Sequence, residues 1–154
     1  MTRTLILSFD LIVQNEPHLS LSIATILAYI KSKSEYQRSI IIDHYSFNLV
    51  KNPKLTVDNV MNLVTSKFAI REYDYIALSC YVWSEYLINP LLTLLRNNGF
   101  RGQFILGGYQ IQYSDKLIDD YPEGNIFIKG YAEQSFYEVL KNCSGPKKLD
   151  KKTG

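Results

Sequence analysis

Several familiar ligand-binding motifs are missing from this sequence of 154 residues. It has no Gly-x-Gly-x-x-Gly and no Gly-x-x-x-x-Gly-Lys-Ser/Thr segment, which excludes a dinucleotide Rossmann site and a P-loop. A single acid, Asp10, follows the first apolar run and the third run ends in Ser79, so the clustered carboxylates of a phosphoacceptor domain are absent. The stretch from Asp10 to Pro17 also lacks the hydroxyl residues that hold a flavin phosphate.

Cysteine is scarce and the net charge is low. The two cysteines, Cys80 and Cys143, have neither metal-ligand spacing nor a disulfide framework, so a reducing, cytoplasmic setting is expected. A formal charge of +2 gives no reason to expect nucleic acid as a partner. No apolar run has the length of a membrane span, so no membrane partner is expected either. No nucleophile–base pair or carboxylate dyad stands out, and we predict no catalytic residue and no metal ligand.

What the sequence does have is five short apolar runs that alternate with segments of helical periodicity. The runs cover residues 5–9, 39–43, 75–79, 104–106 and 126–128. Continuous rather than alternating hydrophobicity is typical of strands that are covered on both faces. We therefore predict an α/β fold: a five-stranded parallel sheet in the flavodoxin-like (Rossmann-like) order 2-1-3-4-5, with helices on both faces. Residues 1–143 should form one domain and residues 144–154 a flexible basic tail.

The helix starts are predicted from capping residues. The first helix opens at residues 17–20, and Thr56 is the expected N-cap of the second. The third has two solutions. Ser84 as N-cap would place Pro90 in the helix interior, where it removes a hydrogen bond, whereas Asn89 as N-cap places Pro90 at the first helical position. We favour the second solution.

Three of the predicted strands are followed directly by small, polar or aromatic residues. The third is followed by Cys80-Tyr81-Val82-Trp83, the fourth by Gly107-Gly108-Tyr109-Gln110 and the fifth by Lys129-Gly130-Tyr131-Ala132-Glu133. The carboxyl ends of parallel strands share one edge of the sheet, and open α/β sheets bind their ligands at that edge. Glycines there let a ligand approach the backbone, and aromatic rings offer it flat apolar surface.

Four segments together resemble the cobalamin-binding (B12-binding) domain found at the amino terminus of radical S-adenosylmethionine enzymes. Pro17-His18-Leu19-Ser20 is similar to the family's Pro-x-Leu-Gly segment, with Ser20 in place of Gly. Ser79-Cys80-Tyr81-Val82-Trp83 resembles its Ser-x-Tyr-x-Trp segment. Gly107-Gly108-Tyr109 stands where the family has Gly-Gly-Pro, and Gly130-Tyr131-Ala132-Glu133 where it has Gly-Glu-Gly-Glu.

The resemblance implies a cobalamin cofactor whose nucleotide tail enters the sheet edge. The cofactor-binding residues that it implies are Pro17, His18, Leu19, Ser79, Tyr81, Trp83, Gly107, Gly108, Tyr109, Gln110, Gly130, Tyr131 and Glu133. The cobalt-ligating Asp-x-His-x-x-Gly motif of B12-dependent mutases and methionine synthase is missing. The three-cysteine iron–sulfur motif of the radical enzymes is missing too, so this chain cannot itself generate a radical. The implied function is a stand-alone module, or one domain of such an enzyme. It would store, present or deliver a corrinoid, with a radical enzyme or another protein as partner.

Two other interpretations stay open. A domain that kept the fold but lost its ligand would use the tyrosine-rich edge as a protein-contact surface, with Tyr81, Tyr109 or Tyr131 filling the site. A different nucleotide-like ligand at the same edge is the other interpretation. Each residue type also has a purely structural explanation: glycines punctuate turns, aromatics pack, a serine satisfies local backbone, and an acid complements a helix dipole.

Overall fold

A computed structural model describes residues 1–142 of the chain. The strands are β1 (Thr2–Asp10), β2 (Ile40–Asn48), β3 (Tyr75–Ser79), β4 (Gln103–Gly107) and β5 (Ile126–Ile128). The helices are α1 (Leu21–Lys31), α2 (Val57–Lys67), α3 (Glu85–Asn97), α4 (Tyr109–Tyr113), α5 (Leu117–Asp120) and α6 (Ala132–Lys141), with a 3₁₀ turn at Ile70–Glu72. The predicted tail at residues 144–154 lies outside the described residues.

All neighbouring strands in the sheet are parallel, in the order β2-β1-β3-β4-β5. This confirms the predicted fold class and strand order. The chain runs outward from β1 to β2 and then returns past β1 to β3, so the strand order reverses between β1 and β3. The connections after the two strands leave on opposite faces at such a reversal, which opens a crevice at their carboxyl ends.

The first two strands are longer than their apolar runs predict. Each has nine residues, and their pairing continues to Asp10 opposite Asn48. Apart from the buried Phe47, the second half of β2 is largely polar and half-buried, which the sheet accommodates because β2 is an edge strand.

The predicted start of the third helix is wrong. It begins at Glu85, directly after Ser84, and Pro90 lies inside it as an exposed residue. Leu87 and Ile88 are fully buried, and the helix must begin before them to turn both side chains inward. Burying two such side chains contributes about 3–6 kcal/mol, which offsets the roughly 3 kcal/mol cost of an interior proline.

The sheet buries a separate core on each face. On one face α2 and α3 cover Leu5, Leu7 and Phe9 of β1. On the other face α1 and α6 cover Ile6 and its neighbours on the central strands, because successive side chains of a strand point to opposite faces. Among the described helices, none combines the length and the hydrophobicity that crossing a membrane requires.

Candidate ligand-binding groove at the carboxyl edge of the sheet

A groove of about 330 Å³ opens between α1 and α6 at the carboxyl edge of the sheet. Its floor contains Ile6 of β1, Ala77 of β3, Ile105 of β4 and Ile128 of β5, and the two helices supply its walls. The volume is at the lower end of the range of small-molecule pockets, about 300–1,000 Å³. The groove lies on the face of the sheet that is covered by α1, the helix that follows β1. It is next to the point between β1 and β3 where the strand order reverses.

Part of the predicted site set lines this groove. The residues that do so are Ser79, Tyr81, Gly107, Gly108, Gly130, Tyr131 and Glu133. They come from the segments that end β3, β4 and β5, which the parallel sheet brings to one edge.

The other predicted residues lie outside the lining. Pro17 and His18 are exposed in the loop before α1, and Leu19 packs against the core under that helix. Tyr109 and Gln110 form the first turn of α4, where Tyr109 is 60% exposed. Trp83 lies next to a lining residue, as described below.

The walls of the groove were not predicted. They comprise Leu21, Ser22, Ile23, Thr25 and Ile26 of α1 and Ala132 and Phe136 of α6. The floor residues Ile6, Ala77, Leu78, Ile105 and Ile128 were expected only as core. The apolar residues of α1 have ordinary core spacing, and only the structure shows that Ile23 and Ile30 are buried while Ile26 is partly buried.

Ser79 is the last residue of β3, and its side chain can make one more hydrogen bond than it makes in the described part of the chain. Its Oγ accepts a hydrogen bond from the Phe9 N–H at 3.2 Å, and its side chain is largely buried. A hydroxyl also carries one O–H donor, for which no acceptor is found in the described part of the chain. Ser79 can therefore donate to an oxygen or a ring nitrogen of a ligand in the groove.

Tyr81 and Trp83 form a stacked pair next to Ser79. Their ring centroids are 4.7 Å apart and their planes differ by 7°. The Trp83 Nε1–H donates to the Phe9 carbonyl oxygen at 2.8 Å, which ties the pair to the end of β1. Because Tyr81 lines the groove and Trp83 does not, Trp83 supports the tyrosine ring rather than contacting the groove itself.

The two glycines after β4 differ in what the fold demands of them. Gly108 has a φ of +108°, and a Cβ there would lie 2.7 Å from the Cys80 carbonyl oxygen, so the fold requires glycine at this position. A Cβ on Gly107 would meet only the Ile128 carbonyl oxygen, at an ordinary 3.7 Å. Gly107 therefore leaves space on the groove side of β4 that no neighbouring residue fills.

The loop after β5 is tied to α4. Gln112 Oε1 accepts a hydrogen bond from the Gly130 N–H at 2.5 Å, and Lys129 Nζ donates to the Ser114 carbonyl oxygen at 3.1 Å. A Cβ on Gly130 would meet nothing within 4 Å, and the Tyr131 side chain is 94% exposed. The tyrosine in this loop therefore leaves the groove open.

The groove carries little charge. Glu133, in the first turn of α6, is the lining residue with a formal charge at neutral pH, and it complements the helix dipole. Burial, together with the nearby Glu85, raises the pKa of the Cys80 thiol, so this cysteine stays protonated and unreactive. In residues 1–142 no group of three or more His, Cys, Asp or Glu side chains is placed to hold a metal ion.

A second depression, of about 380 Å³, lies between the loop before α2 and the start of α3. It is lined by residues 53–57 together with Tyr86 and Leu87, and the Tyr86 hydroxyl donates to the Leu55 carbonyl oxygen at 2.9 Å. None of the predicted site residues lies there, and it is more open to solvent than the groove. The groove is therefore the candidate site.

Comparison with known proteins gives a match by structure but not by sequence. No protein-family model matches the chain, and no curated protein sequence matches it. The fold has a solved counterpart. The chain is similar to the apo structure of the cobalamin-dependent S-adenosylmethionine radical enzyme OxsB, with a TM-score of 0.64 over 96% of this chain and 17% sequence identity. It spans 19% of the OxsB chain, and at this identity the likeness establishes a shared fold.

Proposed function

We propose that this chain is a corrinoid-binding module whose groove receives the nucleotide tail of cobalamin. The observation that carries the proposal is the open groove beside the strand-order reversal, with the side-chain-free Gly107 on its floor. The cobalamin dependence of OxsB, which shares the fold, supports it. The motif-like segments that end β3, β4 and β5 support it independently, because each contributes residues to the groove.

The lining suits an aromatic base better than a group rich in phosphate. Its side chains are mostly apolar, its one formal charge is the negative Glu133, and no lysine or arginine is among them. Tyr81 offers a ring for stacking, and Ser79 offers an O–H to a ring nitrogen or a hydroxyl. A volume of about 330 Å³ admits a tail of this kind, whereas the corrin macrocycle would stay outside the groove, at the sheet edge.

The bound corrinoid would supply organometallic cobalt chemistry that no side chain offers. The residues of this chain would hold the tail, shield it from water and present the cofactor at the sheet edge. The module would thus store, present or deliver the corrinoid to a radical S-adenosylmethionine enzyme or to another protein.

Retention of hydroxocobalamin tests the proposal. The protein is incubated with hydroxocobalamin and desalted, and the corrinoid absorbance that travels with it is measured across a micromolar titration. We expect stoichiometric, saturable retention that flavin mononucleotide and ATP do not displace. Absence of corrinoid absorbance in the protein fraction would overturn the proposal, and displacement by a flavin or nucleotide would reassign the groove to that ligand.

The exposed aromatic side chains near the groove favour a second candidate function. Tyr109 and Tyr113 are 60% and 66% exposed, with ring centroids 4.5 Å apart, and Tyr131 lies on the neighbouring loop. Exposed aromatic groups of this size are enriched at protein interfaces. If the groove takes no ligand, we infer that this edge is a protein-contact surface. A Tyr109→Ser/Tyr113→Ser variant would then lose partner binding in a pull-down while keeping its melting temperature.

A further inference from the structure

The floor of the groove consists of two rows of residues from neighbouring strands. The inner row has three apolar residues that lie side by side in the register of β1, β3 and β4: Ile6, Ala77 and Ile105. The outer row lies two residues nearer the carboxyl edge and has one residue each from β3, β4 and β5: Ser79, Gly107 and Ile128. Two residues along a strand span about 6.6 Å, so the rows mark two depths of the groove.

The inner row offers a ligand apolar contact and no hydrogen bond. Its three side chains are only 2–6% exposed. The buried side chains of Ile23 in α1 and Phe136 in α6 also line the groove. The main chain of the inner row is used for pairing, because each of its strands has a parallel neighbour on both sides. A polar ligand group at this depth would lose its hydrogen bonds to water without replacement.

The outer row supplies one hydrogen-bond donor with free space beside it. The Ser79 O–H has no acceptor among residues 1–142. Gly107, its partner in the pairing of β3 with β4, has no side chain, and the Gly107 carbonyl oxygen already accepts from the Cys80 N–H at 2.7 Å. The serine hydroxyl is therefore the polar group that a ligand in the outer row would meet.

Most other polar side chains of the lining lie toward solvent. Ser22 and Tyr131 are exposed, and Glu133 is half-buried in the first turn of α6. The Thr25 hydroxyl already donates to the Ser22 carbonyl oxygen at 2.9 Å. The groove is thus apolar at its inner row, has a single donor at its outer row and becomes polar at its mouth.

This gradient distinguishes between the bases that a corrinoid tail can carry. The base of cobalamin, 5,6-dimethylbenzimidazole, has two methyl groups at one end and its ring nitrogens at the other. With the methyl groups against the inner row, its free ring nitrogen lies at the depth of the Ser79 hydroxyl. Adenine, the base of pseudocobalamin, would bring an amino group and ring nitrogens to the inner row, where a polar group without a partner is penalised.

We propose that the groove selects the base of the corrinoid tail, accepting 5,6-dimethylbenzimidazole and rejecting adenine. Ala77 and Ile105 determine this specificity by excluding polar groups from the inner row, and Ser79 donates to the ring nitrogen. The selectivity rests on the proposed function for the identity of the ligand. It goes beyond that function because a corrinoid-binding module could accept either base.

The ribosides of the two bases test the selectivity without the corrin ring, so that cobalt does not compete for the ring nitrogen. Each riboside is titrated into the protein, and the isoleucine methyl signals are followed by NMR. We expect the benzimidazole riboside to shift Ile6, Ile105 and Ile128 saturably but not Ile70, which lies in the core on the other face of the sheet. The Kd of the adenine riboside should be roughly 10- to 100-fold higher.

Ala77→Ser places a hydroxyl in the inner row and should narrow the ratio of the two Kd values by about 3- to 10-fold. Ala24→Ser is the matched control, because it makes the same change in α1 at a residue outside the lining, and it should keep the ratio. Should Ala77→Ser fail to fold, the comparison of the two ribosides in the unmodified protein still decides the matter.

The outcomes separate this inference from the proposed function. Equal Kd values, no shift at millimolar riboside, or a ratio that Ala77→Ser leaves unchanged or Ala24→Ser alters would each overturn the selectivity. Retention of hydroxocobalamin together with equal Kd values would remove only the selectivity. Preference for the benzimidazole riboside without retention of hydroxocobalamin would leave the selectivity of the groove standing and remove the corrinoid-binding function.

Discussion

Replacing Gly107 with valine should block the groove while leaving the fold intact. A Cβ at this position meets nothing closer than 3.7 Å, and valine suits a strand. Gly107 is the last residue of β4, so replacing this glycine contributes at most roughly 0.5–1 kcal/mol of stability. At this chain length 1 kcal/mol corresponds to about 2–4 °C in melting temperature. We therefore expect a melting temperature equal to or slightly above that of the unmodified protein.

The same change should weaken cofactor binding sharply. The added methyl groups project into a groove of about 330 Å³ that the ligand tail would have to share. Overpacking a filled site costs about 1–3 kcal/mol, which corresponds to a roughly 5- to 150-fold rise in Kd. Equilibrium dialysis against hydroxocobalamin measures this directly, and Gly107→Ala should give a smaller rise.

Gly108→Ala is the matched control for Gly107→Ala, because both variants add one methyl group, at neighbouring positions. Here the φ of +108° and the 2.7 Å approach to the Cys80 carbonyl oxygen work against the fold. An alanine forced into positive φ costs more than about 1 kcal/mol, so the melting temperature should fall. If a folded Gly107→Val protein binds hydroxocobalamin as tightly as the unmodified protein, the ligand does not occupy the groove and the reasoning is refuted.

Three further predictions concern the surroundings of the groove. Trp83→Phe keeps the stacked ring but removes the donor to Phe9, so it should cost about 0.5–1.5 kcal/mol in urea unfolding; an unchanged midpoint would mean that this hydrogen bond contributes nothing. Tyr131→Ser should leave the melting temperature unchanged, because the side chain is 94% exposed. It should raise the hydroxocobalamin Kd about 2- to 10-fold by removing an aromatic contact, and an unaltered Kd would exclude this ring from binding. Because the folded-state pKa of His44 lies below the unfolded value of 6.5, the unfolded chain binds the proton more readily. The unfolding free energy should therefore be constant above that pH and fall below it; His44→Gln should remove this slope, and a slope unchanged in the variant would contradict it.

The strand ends were predictable because they depend on local signals. Apolar runs that stop at Ser79, Gly107 and Ile128 mark buried strands whatever the rest of the chain does. A parallel sheet then brings their carboxyl ends to one edge. The start of α3 was not predictable in this way, because the local preference of Pro90 competes with the burial of Leu87 and Ile88, and only the packed core shows that burial wins.

The walls of the groove also depended on packing. Ile23 and Ile26 have the spacing of ordinary core residues, and no local signal shows that α1 and α6 leave a gap over the sheet. The different roles of Gly107 and Gly108 depend on which atoms lie across from each Cα, and those atoms belong to β5 and to the segment after β3.

The sequence by itself determined the strands, their parallel arrangement and the residues that follow each strand at one edge of the sheet, because hydrophobic periodicity and strand-end chemistry are properties of short segments. The tertiary structure decided that a groove exists there, that Ser79 and Trp83 both hydrogen-bond to the main chain of Phe9, and that Ser8 lies within hydrogen-bond distance of both Asp10 and His44. These features join residues up to 74 positions apart, such as Phe9 and Trp83. Contacts of that kind follow from how helices and strands pack in space, which no short segment of the chain specifies.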